Sequence, residues 1–157
     1  MELNNWDLSK AEVVSMVAGR LIDELIMRSH RDNGYRHYYD IALIGYSGDS
    51  VYSLLGEKME FHPITMLAGR TVRRVPYALS YNTMRGGRAT FLESVSMWVE
   101  PKAQGGTPMY KMLESVISLV DDWCSREENR DSFPPLVFNI TDGEASDVDY
   151  EMLRRAS

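Results

Sequence analysis

The sequence predicts an α/β protein in which helices flank a doubly wound, mostly parallel sheet. Two amphipathic helical patterns alternate along the chain with two apolar runs of strand length, at residues 39–47 and 136–141. Nearly continuous apolar runs of this length are typical of parallel strands that are covered by helices on both faces. Because helix and strand patterns alternate, the order favours a doubly wound sheet over separate layers of helices and strands.

The first predicted helix spans Lys10–Ser29. Ser9 and Glu12 have the spacing of a capping box, in which each residue satisfies the backbone amide of the other. A stripe of apolar residues predicts the core-facing side of this helix: Val13, Val17, Leu21 and Leu25 at four-residue intervals, widened by Val14, Ile22 and Ile26. Gly19 lacks a side chain, so we expect it to allow the helix to approach a sheet closely.

The middle of the chain contains one strong strand pattern and one long irregular stretch. Residues 39–47 are predicted as the first buried strand, and residues 50–55 as a short edge strand after a turn. Residues 57–91 show no sustained period and contain two prolines and three glycines. A stretch of this kind is usually an insertion or a functional loop. Residues 94–99 fit either a short strand or a helical turn.

The second half of the chain returns to the helix and strand pattern. Thr107 is predicted as the N-cap and Pro108 as the first residue of a helix that runs to about Arg126. Its predicted core stripe is Met109, Met112, Leu113, Val116, Ile117, Val120 and Trp123. Residues 136–141 then form the second buried strand, and residues 149–155 a short final helix.

The composition predicts one domain, residues 1–157, because 157 residues can build a single core and no linker or repeat is present. No apolar run approaches the roughly 20 residues of a membrane helix, and the first ten residues do not resemble a signal peptide. Cys124 is the single cysteine, and its helical, apolar context predicts a buried thiol. The absence of an internal disulfide favours a cytoplasmic location.

The charge is negative overall but uneven along the chain. A formal charge of −6 argues against general nucleic-acid binding, which depends on clustered Lys and Arg. The stretch from Arg70 to Arg88 nevertheless holds five arginines and no acidic residue, so the rest of the chain carries −11. This stretch is either a basic loop that meets an acidic partner or a solvated insertion whose arginines pair with nearby carboxylates.

Four segments, in this order, resemble the von Willebrand factor type A family. They are the helix Lys10–Ser29, residues 39–49 (YDIALIGYSGD), residues 105–113 (GGTPMYKML) and residues 138–147 (FNITDGEASD). The resemblance covers most of the chain apart from residues 57–91, and it implies a Rossmann-like sheet. It also implies a non-catalytic protein-binding module, in which Mg²⁺ or Mn²⁺ at the sheet edge recognises a carboxylate of a protein partner.

The metal site of that family is built from three loops, and two of them have a counterpart here. Thr107 matches the second loop and Asp142 the third, so the resemblance implies these two metal ligands. The first loop, Asp-x-Ser-x-Ser after the central strand, has no counterpart before Lys10. The chain therefore resembles a domain that lacks its first strand and its last elements. Such a sheet would expose strand edges that can pair with another chain.

Several interpretations of these residues remain open. Asp142 is also suited to a turn or a helix cap, and capping alone would explain Thr107. The chain is then a cation-dependent binding module, an incomplete fragment without metal binding, or, less favoured, a Mg²⁺-dependent hydrolase that uses Asp142 and Asp49. Whether or not a cation binds, we expect Thr107 and Asp142 within about 8 Å of each other at the carboxyl edge of the sheet, because the predicted topology places both there.

Overall fold

The computed structural model describes residues 9–82, 86–100, 105–141, 143 and 145–147. The helices are α1 (Lys10–Ser29), α2 (Ile64–Ala68) and α3 (Met109–Ser125), followed by a 3-10 turn at Glu127–Asn129. The strands are β1 (His30–Arg31), β2 (Gly34–Tyr35), β3 (Asp40–Ile41), β4 (Ile44–Ser47), β5 (Ser50–Ser53), β6 (His62–Pro63), β7 (Arg74–Asn82) and β8 (Arg88–Ser96).

The chain divides into two compact units, which we call the first and second unit. The first unit consists of Met1–Asp40 and Pro63–Pro101, and the second of Ile41–His62 and Lys102–Ser157. Each unit is therefore built from two separate stretches of sequence. The segment that carries β4 and β5 belongs with α3, whereas α1 belongs with α2 and the long strands β7 and β8.

The predicted doubly wound parallel sheet is wrong. In the described part of the chain the strands form two-stranded sheets, and β1–β2, β4–β5 and β7–β8 are all antiparallel pairs. Residues 39–47 contain two short strands, β3 and β4, and residues 136–141 contain none. Apolar runs were a poor guide because a strand forms only where another segment pairs with it, and the order of apolar segments does not show whether such a partner exists.

Helix α1 has the predicted bounds and the predicted capping box. The Ser9 hydroxyl accepts a hydrogen bond from the Glu12 amide at 3.3 Å, and the Glu12 carboxylate accepts one from the Ser9 amide at 2.8 Å. Hydrogen bonds from the backbone and then the hydroxyl of Ser9 lower the pKa of Glu12. Short-range capping chemistry was readable from the sequence because both partners lie within four residues of each other.

The buried face of α1 coincides with the predicted stripe at Ile22 but differs from it elsewhere. Val13, Val17 and Leu21 are about half exposed. The buried residues are Ser15, Met16, Gly19, Ile22 and Ser29. Gly19 lies against the backbone carbonyl of Ser96 at the end of β8, where a Cβ would overlap the oxygen. The expected close approach of Gly19 to a strand is confirmed. Because of this contact, the face of α1 that contains Gly19 packs against β8.

Residues 57–91 are more regular than predicted. They contain α2, whose Ile64 and Leu67 are fully buried, and most of a hairpin in which β7 pairs with β8 from Arg74↔Ser96 to Asn82↔Arg88. Residues 94–96 therefore belong to a strand. The hairpin was hidden because Pro76 and the paired glycines were interpreted as loop residues, although a proline is tolerated in an edge strand.

The second unit is organised around α3. Strands β4 and β5 form a hairpin in the register Ile44↔Ser53 to Ser47↔Ser50, and α3 packs against both strands. Met112 is the residue of the predicted α3 stripe that is buried, whereas Leu113 and Ile117 are exposed. Cys124 is exposed rather than buried. Among the described residues, no helix is both long and apolar enough to cross a membrane.

Candidate functional site at the start of helix α3

The first turn of α3 lies beside the turn that connects β4 and β5. The backbone of Gly106, which has a positive φ of 96°, approaches Gly48 so closely that a Cβ would lie 2.6 Å from its carbonyl oxygen. The Lys111 Nζ donates a hydrogen bond to the backbone carbonyl of Asp49 at 3.3 Å. Gly106 therefore serves the tight turn that the sequence predicts before this helix.

The other side of the same helical turn is held by residues 145–147. The Thr107 amide donates to the Ser146 hydroxyl at 2.7 Å, and the Ser146 amide donates to the Thr107 carbonyl at 2.9 Å. The two carboxylate oxygens of Asp147 accept hydrogen bonds from the Tyr110 amide at 3.1 Å and the Lys111 amide at 3.0 Å. Two loops that are distant in sequence therefore meet at the start of α3.

Asp147, and not Thr107, caps helix α3. The helix begins at Met109, and the preceding Pro108 supplies no side-chain cap, so the prediction of Thr107 as N-cap is wrong. Desolvation raises the pKa of Asp147, whereas hydrogen bonds from the amides of Lys111 and Tyr110 lower it. The lowering is larger in sum, so the pKa of this carboxyl lies below its ordinary value. Because these amides already donate to a carboxylate, they do not form an open anion site.

The predicted metal ligands can be placed only in part. Thr107 is half-buried, and a Cβ built on Gly143 would lie 3.0 Å from its hydroxyl oxygen, so the chain next to Asp142 lies against Thr107. Asp142 itself lies outside the described residues, and the distance between the two predicted ligands stays a prediction. Within the described ranges, no group of three or more His, Cys, Asp or Glu residues could hold a metal ion.

The described residues alone do not fit a Mg²⁺ or Mn²⁺ site. Such hard cations prefer several oxygen ligands in octahedral geometry. At this place the described chain contributes the Thr107 hydroxyl, while both carboxylate oxygens of Asp147 already accept amide hydrogen bonds. A cation here would need Asp142 and further oxygens, from water or from a partner.

The most conspicuous surface of the second unit is an exposed apolar segment, residues 133–140. Its large apolar side chains are exposed to the following extents: Phe133 94%, Leu136 81%, Val137 55%, Phe138 76% and Ile140 56%. The Asn139 Oδ1 accepts a hydrogen bond from the Tyr46 hydroxyl at 2.7 Å, which holds the segment near β4. In the part of the chain that is described, β4 has a strand partner on one edge only, namely β5.

The prediction of residues 136–141 as a buried strand is wrong, and the sequence did not predict the capping role of residues 146 and 147. The apolar signal was real, but it reports only that the side chains favour burial and does not show that this chain supplies a cover. The cap was missed because side-chain caps are normally sought at the residue before the helix. Ser146 and Asp147 were present in the sequence as acidic and polar loop residues, without a local signal that linked them to α3.

The junction around Thr107 and the apolar segment 133–140 together form the candidate site. As far as the chain is described, neither contains a Ser or Cys side chain hydrogen-bonded to a His, the arrangement that activates many catalytic nucleophiles. Comparisons with protein-family models, with curated proteins and with solved structures find no match. The function is therefore inferred from the surfaces themselves.

Proposed function

We propose that this protein is a non-catalytic protein-binding module and that its second unit presents residues 133–140 to a partner chain. The observation that carries the proposal is the exposure of five large apolar side chains within this one segment. Apolar surface that is contiguous and exposed is typical of interaction sites, because its burial is the main favourable term in association. The exposed side chains Leu113 and Ile117 on α3 add to the apolar surface of this unit.

The mode of binding that fits this surface is strand addition. Residues 136–141 are rich in strand-forming residues but have no strand partner among the described residues, and one edge of β4 is similarly open. An extended segment of a partner would satisfy the backbone groups of such an edge and pack its alternate side chains on the apolar surface. The same pairing would explain why a segment with the pattern of a buried strand lies exposed here.

A second candidate function adds a cation to this module, as the von Willebrand A resemblance implies. It is favoured by one observation, the close approach of Gly143 to the Thr107 hydroxyl. Thr107 and Asp142 would then hold Mg²⁺ or Mn²⁺, and a carboxylate of the partner would complete the coordination. The cytoplasm is the proposed compartment, because the exposed free thiol of Cys124 is kept reduced there.

Site-specific photo-crosslinking in cells tests the proposal. A photoreactive phenylalanine analogue at position 138 is expected to give one discrete adduct, and the added substitution Leu136→Asn should abolish it because it removes apolar contact area. The substitution Val13→Asn, which changes an exposed valine of the first unit, is the matched control and should leave the adduct intact.

The outcomes separate the alternatives. The absence of an adduct from position 138, or an adduct insensitive to Leu136→Asn, would contradict the protein-binding function and favour an incomplete fragment. The crosslinking is then repeated in cell lysate with EDTA added before irradiation. An adduct that no longer forms in EDTA, and that is also lost in Asp142→Ala, would support the cation-dependent form. An adduct that still forms in EDTA would support strand addition without a metal.

A further inference from the structure

We propose that the first unit carries a separate interaction surface, which binds acidic segments of proteins. This tyrosine–arginine surface consists of Arg31, Arg36, Tyr38 and Tyr39. It goes beyond the proposed function, because it lies in the other unit and depends on charge and aromatic side chains instead of an apolar strand. All four residues are exposed to solvent, and Tyr38 is 51% exposed.

The local backbone holds this surface in place. Strands β1 and β2 form a short hairpin in which Gly34 takes a positive φ of 109° at the turn. After the hairpin, the Arg36 amide donates to the Ser29 carbonyl at 2.8 Å, and the Tyr38 amide donates to the Arg36 carbonyl at 3.0 Å. The arginines and tyrosines are therefore presented from an ordered, hydrogen-bonded segment, which lowers the entropic cost of binding.

Arg31 is oriented before any partner arrives. Its Nη1 donates to the backbone carbonyls of Arg28 and His30, at 3.0 Å and 2.6 Å. Its guanidinium carbon lies 5.2 Å from the centroid of the Tyr38 ring, within the range of a cation–π interaction. A planar guanidinium held in this way keeps N–H groups available for the two oxygens of a carboxylate.

The charge of this surface is not neutralised within the described chain. Arg28, Arg73 and Arg126 each form an ion pair with a carboxylate, with Glu24, Glu100 and Asp122 respectively. No described carboxylate pairs with Arg31 or Arg36 in this way. Arg31 and Arg36 give this surface two positive charges in a chain of formal charge −6, and Asp32 and Asp40 lie beside it in the sequence. A positive surface on a negative body steers and orients an acidic partner.

The chemistry favours a protein partner over a nucleic acid. Tyrosine and arginine are enriched in the energetically dominant positions of protein interfaces. Binding to a phosphate backbone depends on a larger number of cationic groups than the two unpaired arginines offered here.

Fluorescence anisotropy with a labelled dodecapeptide of alternating Asp and Glu tests the proposal on the full chain at low salt. The double variant Arg31→Gln/Arg36→Gln is expected to weaken binding at least tenfold, and Tyr38→Leu about threefold because it removes the ring beneath Arg31. The control Arg73→Gln/Arg126→Gln removes the same charge from arginines that already have partners, and it should change the affinity less than threefold.

Two results would overturn this surface as a site for acidic proteins. One is an equal loss of affinity in both double variants, which would show that only net charge matters. The other is tighter binding of a labelled oligothymidylate of the same length than of the peptide, which would indicate a nucleic-acid site. Leu136→Asn should leave the peptide affinity unchanged, so failure here and failure of the strand-addition surface are distinguishable.

Discussion

At the scale of single residues, Gly105 and Gly106 are neighbours with opposite requirements. A Cβ at Gly105 would meet no atom within 4 Å, whereas a Cβ at Gly106 would lie 2.6 Å from the Gly48 carbonyl oxygen. Gly106 also has a φ of 96°, which is unfavourable for residues with a side chain. Only one of the two glycines is therefore demanded by the fold.

We expect Gly106→Ala to lower the free energy of unfolding by about 1–3 kcal/mol, because it combines overpacking with an unfavourable backbone conformation. Gly105→Ala is the matched control and should change stability by less than about 0.5 kcal/mol. Urea denaturation of both variants measures the difference. Equal destabilisation would show that the loop does not pack on the β4–β5 turn as described.

The stability that Asp147 contributes to the fold should depend on pH. Its folded pKa is lowered, since amide hydrogen bonds from Lys111 and Tyr110 outweigh the opposing effect of desolvation. A carboxyl group whose pKa is lower in the folded than in the unfolded protein stabilises the fold at pH values above the unfolded pKa. This stabilisation is lost as the pH falls through the folded pKa. The contribution should therefore be complete at neutral pH and disappear in acid.

Thermal unfolding of the wild type and Asp147→Asn between pH 7 and pH 3 measures this effect. The wild type should melt at the higher temperature at neutral pH, and the difference should shrink below about pH 4, where aspartates in general begin to protonate. Asn retains one acceptor oxygen but does not titrate, so it isolates the charge. A difference that stays constant over the whole range would contradict the capping role.

At the scale of elements, two apolar segments differ in burial: residues 136–141 are exposed, whereas the apolar side of α2 is buried. Ile64 on α2 is fully buried, whereas Phe138 is 76% exposed. We expect Ile64→Ala to cost about 2–5 kcal/mol, and Phe138→Asn to change the stability of the isolated chain by less than about 0.5 kcal/mol.

Chemical denaturation of these two variants checks the expectation, with size-exclusion chromatography beside it. Phe138→Asn should also reduce self-association, because exposed apolar segments promote it. A cost for Phe138→Asn as large as that for Ile64→Ala would indicate that residues 136–141 are buried in solution.

At the scale of the whole molecule, metal binding is the property that best distinguishes a cation-dependent binding module from a chain that binds no metal. We expect the isolated chain to bind Mn²⁺ weakly or not at all, since Thr107 and Asp142 would leave the cation mostly hydrated. Isothermal titration with Mn²⁺ measures the affinity, and Thr107→Val with Asp142→Ala provides the controls. Micromolar affinity that is lost in Asp142→Ala would show that further groups of this chain complete the site.

The sequence by itself determined the local features of the fold, which depend on residues close to each other in the chain. The bounds of α1, its capping box at Ser9 and Glu12, the turn at Gly106 and the hairpin position of β5 all follow from residues a few positions apart. Interactions at this range have low entropic cost and specific residue signatures. Gly19 was likewise identified as a point of close approach, although not the strand that it meets.

Only the tertiary structure decided which apolar surfaces are covered. The stripe of α1 at Val13 and the segment at residues 136–141 have the composition of a core, yet they are exposed, and the cap of α3 comes from Asp147 in a separate loop. A hydrophobic pattern shows that side chains favour burial. Burial itself requires a second apolar surface from another part of the chain, and the topology decides whether one is present. For that reason the antiparallel pairs and the two units could not be deduced from the order of apolar segments.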